Sequence, residues 1–134
     1  MLSSARVYTT LPAADLERAR AFYERTLGFA PAWITEAGVF YAADDGTRFF
    51  VYPSRGRASG AHTQVGFTVK DIHLEVTDLQ SKGVVFETYD FPGFDAATSI
   101  ARTGLAASAW FHDSEGNLLG IVQIDAESSS TSAT

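Results

Sequence analysis

The chain contains no cysteine. Disulfides and thiolate-held metals are therefore excluded, whatever the redox state of its surroundings. Positive charge is scarce as well: ten Lys and Arg stand against sixteen Asp and Glu, a formal net charge of −6. The densest basic run is SRGR at Ser54–Arg57. Phosphate backbones require more concentrated charge than that, so nucleic acid is not an expected partner. No apolar run approaches membrane-spanning length, and no basic segment followed by an apolar block opens the chain. The expectation is a cytoplasmic protein without membrane contact. A Gly-rich phosphate loop and an HExxH helix are also lacking, and the Ser-Gly pair in RASGAH (57–62) has no strand–turn–helix around it to make a nucleophile elbow.

What is present is a sizeable apolar fraction, 46% of 134 residues with 13% aromatic, enough for the core of one domain. The stretch 125–134, DAESSSTSAT, is polar and of low complexity, and is expected to stay disordered. The remainder, 1–124, repeats itself. Module one spans about 5–54. ARVYTTLPAAD is a strand running into a proline-broken turn, Asp15 is placed to cap a helix, and Gly28 is placed to stop it. GVFYAA and RFFVYPS then flank the turn DDGT, a strong hairpin signal. Module two spans about 62–124 in the same order. HTQVGFTV is a strand, Asp71 caps a helix with Ile72, Val76 and Leu79 on one face, and Gly83 stops it. VVFETYD is extended, a Pro-Gly loop follows, and LAASAWFHDSEGNLLGIVQ closes the module as a hairpin. The fold class expected is α+β: two tandem βαβββ modules forming a half-open, barrel-like curved sheet around a cleft, with helices on its outer faces.

Four segments carry a likeness to a known family: DLERARAFYERTLGF (15–29), DDGTRFFVYPS (44–54), VKDIHLEVTDLQSKGVVF (69–86) and SAWFHDSEGN (108–117). In them the chain resembles the vicinal oxygen chelate superfamily, which includes glyoxalase I, extradiol dioxygenases, and the bleomycin- and fosfomycin-resistance proteins. The helix phrase F-Y-x-x-x-L-G and the D-x-x-G-N hairpin are together fairly specific for that fold, and much less so for an activity, since one fold hosts many chemistries. The resemblance implies metal ligands on strands facing the cleft, a His before each helix-opening aspartate and a Glu after each hairpin glycine. Carried over by position, the His slots fall on Tyr8 and Gln64, and the Glu slots on Phe50 and Gly120. None is an imidazole or a carboxylate. A divalent cation needs several oxygen or nitrogen donors, usually with carboxylates to offset its charge, so no metal and no other cofactor is expected.

Other residues are open to more than one reading. His62 is two residues before Gln64, and alternation would put both on one face. It is either a ligand, base or polar anchor, or an exposed residue at a frayed strand start. His112 shares a face with Trp110 beside the hairpin turn. His73 sits in the first turn of a helix, where plain exposure explains it. Glu87, Asp90 and Asp95 lie along the loop segment FETYDFPGFD and would allow a pair with His62, although nothing in the spacing demands one. Asp113 and Glu115 are explained by turn chemistry. Alternation groups Tyr8 with Thr10, Phe50 with Tyr52, and Trp110 with His112. Tyr89, Phe91 and Phe94 lie in a Pro-Gly segment that ordinarily runs over the surface, which suggests a lid or a dimer contact.

The ligand-binding set expected is thus Tyr8, Phe50, Tyr52, His62, Gln64, Trp110, His112 and Gly120, an apolar site with a few polar groups. Three functions fit it. The first is a metal-free protein that binds an aromatic or apolar small molecule. The second is an atypical lyase, isomerase or dioxygenase with a relocated metal or none, in which Tyr8 and His62 would move protons. The third is an interaction domain with a vestigial cleft. The resemblance further implies a homodimer.

Overall fold

The computed structural model describes residues 1–125, so the polar stretch expected to be disordered lies, apart from Asp125, outside the described residues. The elements are β1 (Thr9–Ala13), α1 (Leu16–Ala21), β2 (Pro31–Ile34), β3 (Val39–Ala42), β4 (Arg48–Pro53), β5 (Thr63–Thr68), α2 (Ile72–Ser81), β6 (Phe94–Asp95), β7 (Ile100–Thr103), β8 (Ala106–His112) and β9 (Leu118–Ile124). They form an α+β fold of two sheets, ordered β1-β4-β3-β2 and β5-β9-β8-β7-β6. In each, the strand before the helix pairs in parallel with the last strand, and the others run antiparallel. Two compact units result. One comprises residues 1–59 together with 113–117, the other 60–112 and, of the described residues, 118–125.

In the first unit Asp15 caps α1 by accepting the Arg18 backbone N–H at 3.1 Å. The helix runs on into a π turn at Phe22–Thr26, where the Leu27 N–H reaches the Phe22 carbonyl at 3.0 Å, and Gly28, at φ +82°, ends it. Leu11, Ala13, Val39, Tyr41, Phe49 and Val51 alternate inward along their strands and meet Ala19 and Tyr23, all but excluded from solvent. The Tyr23 ring packs on Tyr41 and Phe49, with centroids 5.7 and 5.4 Å away.

The turn 113–117 completes this unit with polar contacts. The Tyr23 hydroxyl donates to the Asp113 carboxylate at 2.6 Å, and the Asn117 side-chain amide donates to Asp113 at 2.8 Å and to the Pro12 carbonyl at 3.0 Å. Glu115 accepts from the Asp15 backbone N–H at 2.9 Å and from both sides of the Arg18 guanidinium at 2.8 and 3.0 Å. Turn chemistry accounts for only part of this: Asp113 does organise its own hairpin through the Glu115 and Asn117 backbone N–H groups, but the same residues also hold β1 and α1.

In the second unit Asp71 caps α2 by accepting the Leu74 N–H, and Ile72, Val76 and Leu79 are its buried face, as their spacing predicts. They pack on the side of the sheet that carries Ala107, Ala109, Phe111, Leu119 and Ile121. VVFETYD departs from expectation. It forms no ladder, only one bridge between Phe86 and Phe111 and a bond from the Glu87 N–H to the Trp110 carbonyl. The reason is unequal strand length. β7 pairs with β8 only at Ala106–Ser108, and the Phe86 segment covers the stretch of β8 that β7 leaves open. The strands that follow α2 are therefore the two-residue β6 and then β7, inside what reads in sequence as loop.

Candidate functional site

Each sheet has one face turned toward its helix and one face without a helix from its own unit. In the first unit the helix-free face is aromatic. Phe50 pairs across the sheet with Thr10 on one side and Phe40 on the other, and Phe40 pairs in turn with Trp33. The rings follow that register. Phe40 lies 4.4 Å from Phe50, Trp33 stacks on Phe40 at 5.6 Å, and Tyr52 stacks on Phe50 at 6.0 Å. Tyr8 meets Phe40 edge-on at 5.3 Å. Tyr8 is 50% exposed and Trp33 60%, values far from those of core aromatics. Tyr8, Phe50 and Tyr52 are thus brought together. Trp33 and Phe40 belong to the same surface and were missed, although the alternation in GVFYAA carries the signal for Phe40.

The helix-free face of the second unit centres on Trp110. Its indole N–H donates to the Thr63 hydroxyl at 3.1 Å, which lays the ring across Gly120. A Cβ at Gly120 would come within 3.3 Å of Thr63 Cγ2 and of Trp110 Cδ1 and Nε1. The indole therefore stands where a residue-120 side chain would go. Tyr89 meets Trp110 edge-on at 5.3 Å, and Phe91 and Phe94 pack on Tyr89 at 6.2 and 5.9 Å. The loop aromatics thus fold onto their own sheet.

His112 joins this face through two acceptors. Its Nε2 lies 2.9 Å from the Gly60 carbonyl oxygen and its Nδ1 3.3 Å from the Glu87 carboxylate. The imidazole that Glu87 pairs with is therefore His112. Gln64 is half-buried, and its Oε1 is shielded from solvent with no hydrogen-bond partner among the described residues. His62 is exposed in the bend before β5, and the β5–β9 register slips between Thr63 and Val65, so simple alternation does not carry from His62 to Gln64. His73 is exposed on α2. Among the described residues no group of three or more His, Cys, Asp or Glu gathers closely enough to hold a metal ion.

On these faces burial raises the Tyr89 phenol, and hydrogen bonds from Thr47 lower Asp45; the largest perturbations lie elsewhere. Burial, with the Asp113 carboxylate beside it, pushes the Tyr23 phenol far up, and burial with Glu24 does the same to Tyr41. The hydrogen-bonded Arg18 guanidinium holds Glu115 down at about 2. These groups hold the fold together. A cavity of about 440 Å³ opens beside Tyr8 and Phe40, with Arg6, Asp45 and Arg48 in its wall. Nothing in the sequence spacing singles out either arginine. No helix among the described residues is long and apolar enough to cross a membrane.

A family model described as the glyoxalase/bleomycin resistance protein/dioxygenase superfamily matches residues 6–121. A search of curated proteins returned no match. Among solved structures, UcmS2 superposes with a TM-score of 0.68 at 20% identity over 90% of this chain and 98% of its own. TnmS3, an antibiotic binding protein from Streptomyces sp. CB03234, gives 0.65 at 19% identity over 90% and 98%. The fosfomycin resistance protein FosX from Listeria monocytogenes gives 0.67 at 14% identity over 88% and 90%.

Proposed function

The chain belongs to the glyoxalase/bleomycin resistance protein/dioxygenase superfamily, and from that premise we propose that it binds a flat, largely apolar organic molecule without using the metal site of its metal-dependent relatives. The observation that carries this reading is the Trp110 indole laid over Gly120. A glutamate there would have to displace the ring and its bond to Thr63. Of the other three positions matched to metal ligands, Phe50 has no donor atom and is packed in the aromatic row, while Tyr8 and Gln64 offer neutral donors only. That donor set does not fit a divalent cation.

Exposed aromatic rings on strand registers suit a flat partner, because ring stacking adds to the gain from apolar burial. TnmS3 has the same fold and is described as an antibiotic binding protein, so the fold accommodates such a role. A homodimer belongs to the same reading: edge strand β2 leaves Trp33 and Ile34 60% and 57% exposed.

The test is a fluorescence titration of the purified protein with planar two- and three-ring compounds, alongside a thermal-shift series with Ni²⁺, Zn²⁺, Mn²⁺ and Fe²⁺. At least one ring compound is expected to bind and to lose about tenfold or more in affinity in Trp33→Ala or Trp110→Ala, the loss of roughly one aromatic contact surface. No metal is expected to raise the melting temperature. A metal that stabilises the native state by mass action, and ceases to do so when Tyr8 or Gln64 is replaced singly, would overturn the reading. One observation favours an enzyme instead. His112 is fixed by Glu87 and Gly60 next to Trp110, an arrangement that can orient an imidazole for proton transfer. Turnover of a bound compound that is lost in His112→Gln while binding persists would select that reading.

A further inference from the structure

The cavity beside Tyr8 differs from the rest of the aromatic face in its charge. Arg6 and Arg48 both line it, and among the described residues neither has an ion-pair partner or a side-chain hydrogen bond. Arg18, Arg20, Lys82 and Arg102 are matched to carboxylates; what sets Arg6 and Arg48 apart from the remaining cations is that both line one cavity. Asp45 lies in the same wall, but its Oδ1 already accepts the Thr47 N–H at 3.0 Å and the Thr47 hydroxyl at 2.6 Å. The wall therefore carries two guanidinium groups against one carboxylate, and that carboxylate is engaged by its own turn.

Strand geometry explains how charge and rings come together. Arg48 and Phe50 are two apart on β4, so they share the helix-free face, and Arg48 pairs with Ala42, two residues on from Phe40. Arg6 stands two residues before Tyr8 on the segment leading into β1. The remaining wall is Val7, Tyr8 and Phe40, with Gly46 and Thr47 of the turn closing it. A volume of about 440 Å³ suits a molecule of one or two fused rings. Guanidinium forks match the geometry of a carboxylate, and charge-assisted hydrogen bonds of this kind outweigh neutral ones.

We propose that this cavity takes planar aromatic carboxylates, with the ring against Tyr8 and Phe40 and the carboxylate between Arg6 and Arg48. The proposal rests on the aromatic-binding reading above and narrows it to an anionic class. The ring supplies apolar burial, and the arginines decide between an acid and its neutral counterpart.

The experiment compares 2-naphthoate with 2-naphthamide by isothermal titration at low salt, on the full chain and on the double variant Arg6→Gln/Arg48→Gln. The acid is expected to bind about tenfold more tightly than the amide, a preference that shrinks as salt is added. The double variant should bring the acid down to the amide's affinity and leave the amide within about twofold. Phe40→Ala should weaken both. Both arginines are exposed, so folding of the double variant is checked simply by an unchanged melting temperature. Equal binding of acid and amide to the native chain would overturn the anionic class and leave the aromatic reading standing. A preference for the acid that survives in the double variant would place the anion contact elsewhere and overturn the site. Failure of both probes to bind would overturn the proposal for this cavity, while the broader reading is decided by the ring-compound titration above.

Discussion

Position 120 has ordinary backbone geometry, so a side chain there would meet no backbone strain; what it would meet is the indole of Trp110 and the methyl of Thr63, both 3.3 Å from a Cβ. Gly120→Glu, which introduces the residue type that the resemblance implies at this position, should therefore push the indole aside and break its bond to Thr63. Overpacking of this kind costs about 1–3 kcal/mol. The expected readouts are a lowered melting temperature and a red-shifted tryptophan emission, without any gain in metal affinity. A variant as stable as the parent that binds Zn²⁺ would show that the indole moves freely and that the slot is still usable. The two helix-free faces differ in this respect: Phe50 presents a ring of its own, whereas the space over Gly120 is taken by a neighbour's ring.

At the scale of elements, α1 is a six-residue helix whose N-terminus is held by a residue from far along the chain. Glu115 accepts from the Asp15 N–H and from Arg18, and its carboxyl is held down at about 2 from an ordinary value of 4.5. A carboxyl depressed in the folded state contributes stability in full above its unfolded value, and the contribution is lost as pH falls through its folded value. The melting temperature should therefore be insensitive to this group above about pH 4.5 and fall as the pH drops from there toward 2. In Glu115→Gln that portion of the acid limb should be missing. An unchanged acid limb in the variant would mean that the pair with Arg18 contributes nothing to folding.

At the scale of the whole molecule, the unit built on residues 1–59 is not made by those residues alone, because 113–117 belong to it. Tyr23, Pro12, Asp15 and Arg18 all find partners in that turn. Replacing 113–117 by a Gly/Ser turn of equal length should strip the Tyr23 hydroxyl of its acceptor while leaving the ladder between β8 and β9 in place. Leaving a buried polar group unsatisfied costs about 1–3 kcal/mol. Hydrogen exchange should show α1 and β1 amides losing protection before those of β8 and β9. Simultaneous loss in all four elements would argue that the two units unfold together and that the turn has no special hold on the first.

Much of the architecture was legible because its causes are local. Asp15 and Asp71 cap helices, Gly28 and Gly83 take positive φ at their ends, and Ile72, Val76 and Leu79 form a buried face, all through interactions within a few residues. The grouping of Phe50 with Tyr52 and of Trp110 with His112 follows from alternation alone. Local chemistry is silent on partners distant in sequence. It does not say that Phe86 takes the part of β8 left open by β7, or that the Thr63–Val65 slip breaks the alternation from His62. Nor does it say that Glu87 pairs with His112, or that Arg6 and Arg48 share one cavity. Those choices depend on which registers neighbouring strands adopt, and register is settled by packing across the sheet as a whole. The repeat and its caps could thus be read along the chain, while the ring that covers Gly120 came into view only once β8 and β9 lay side by side.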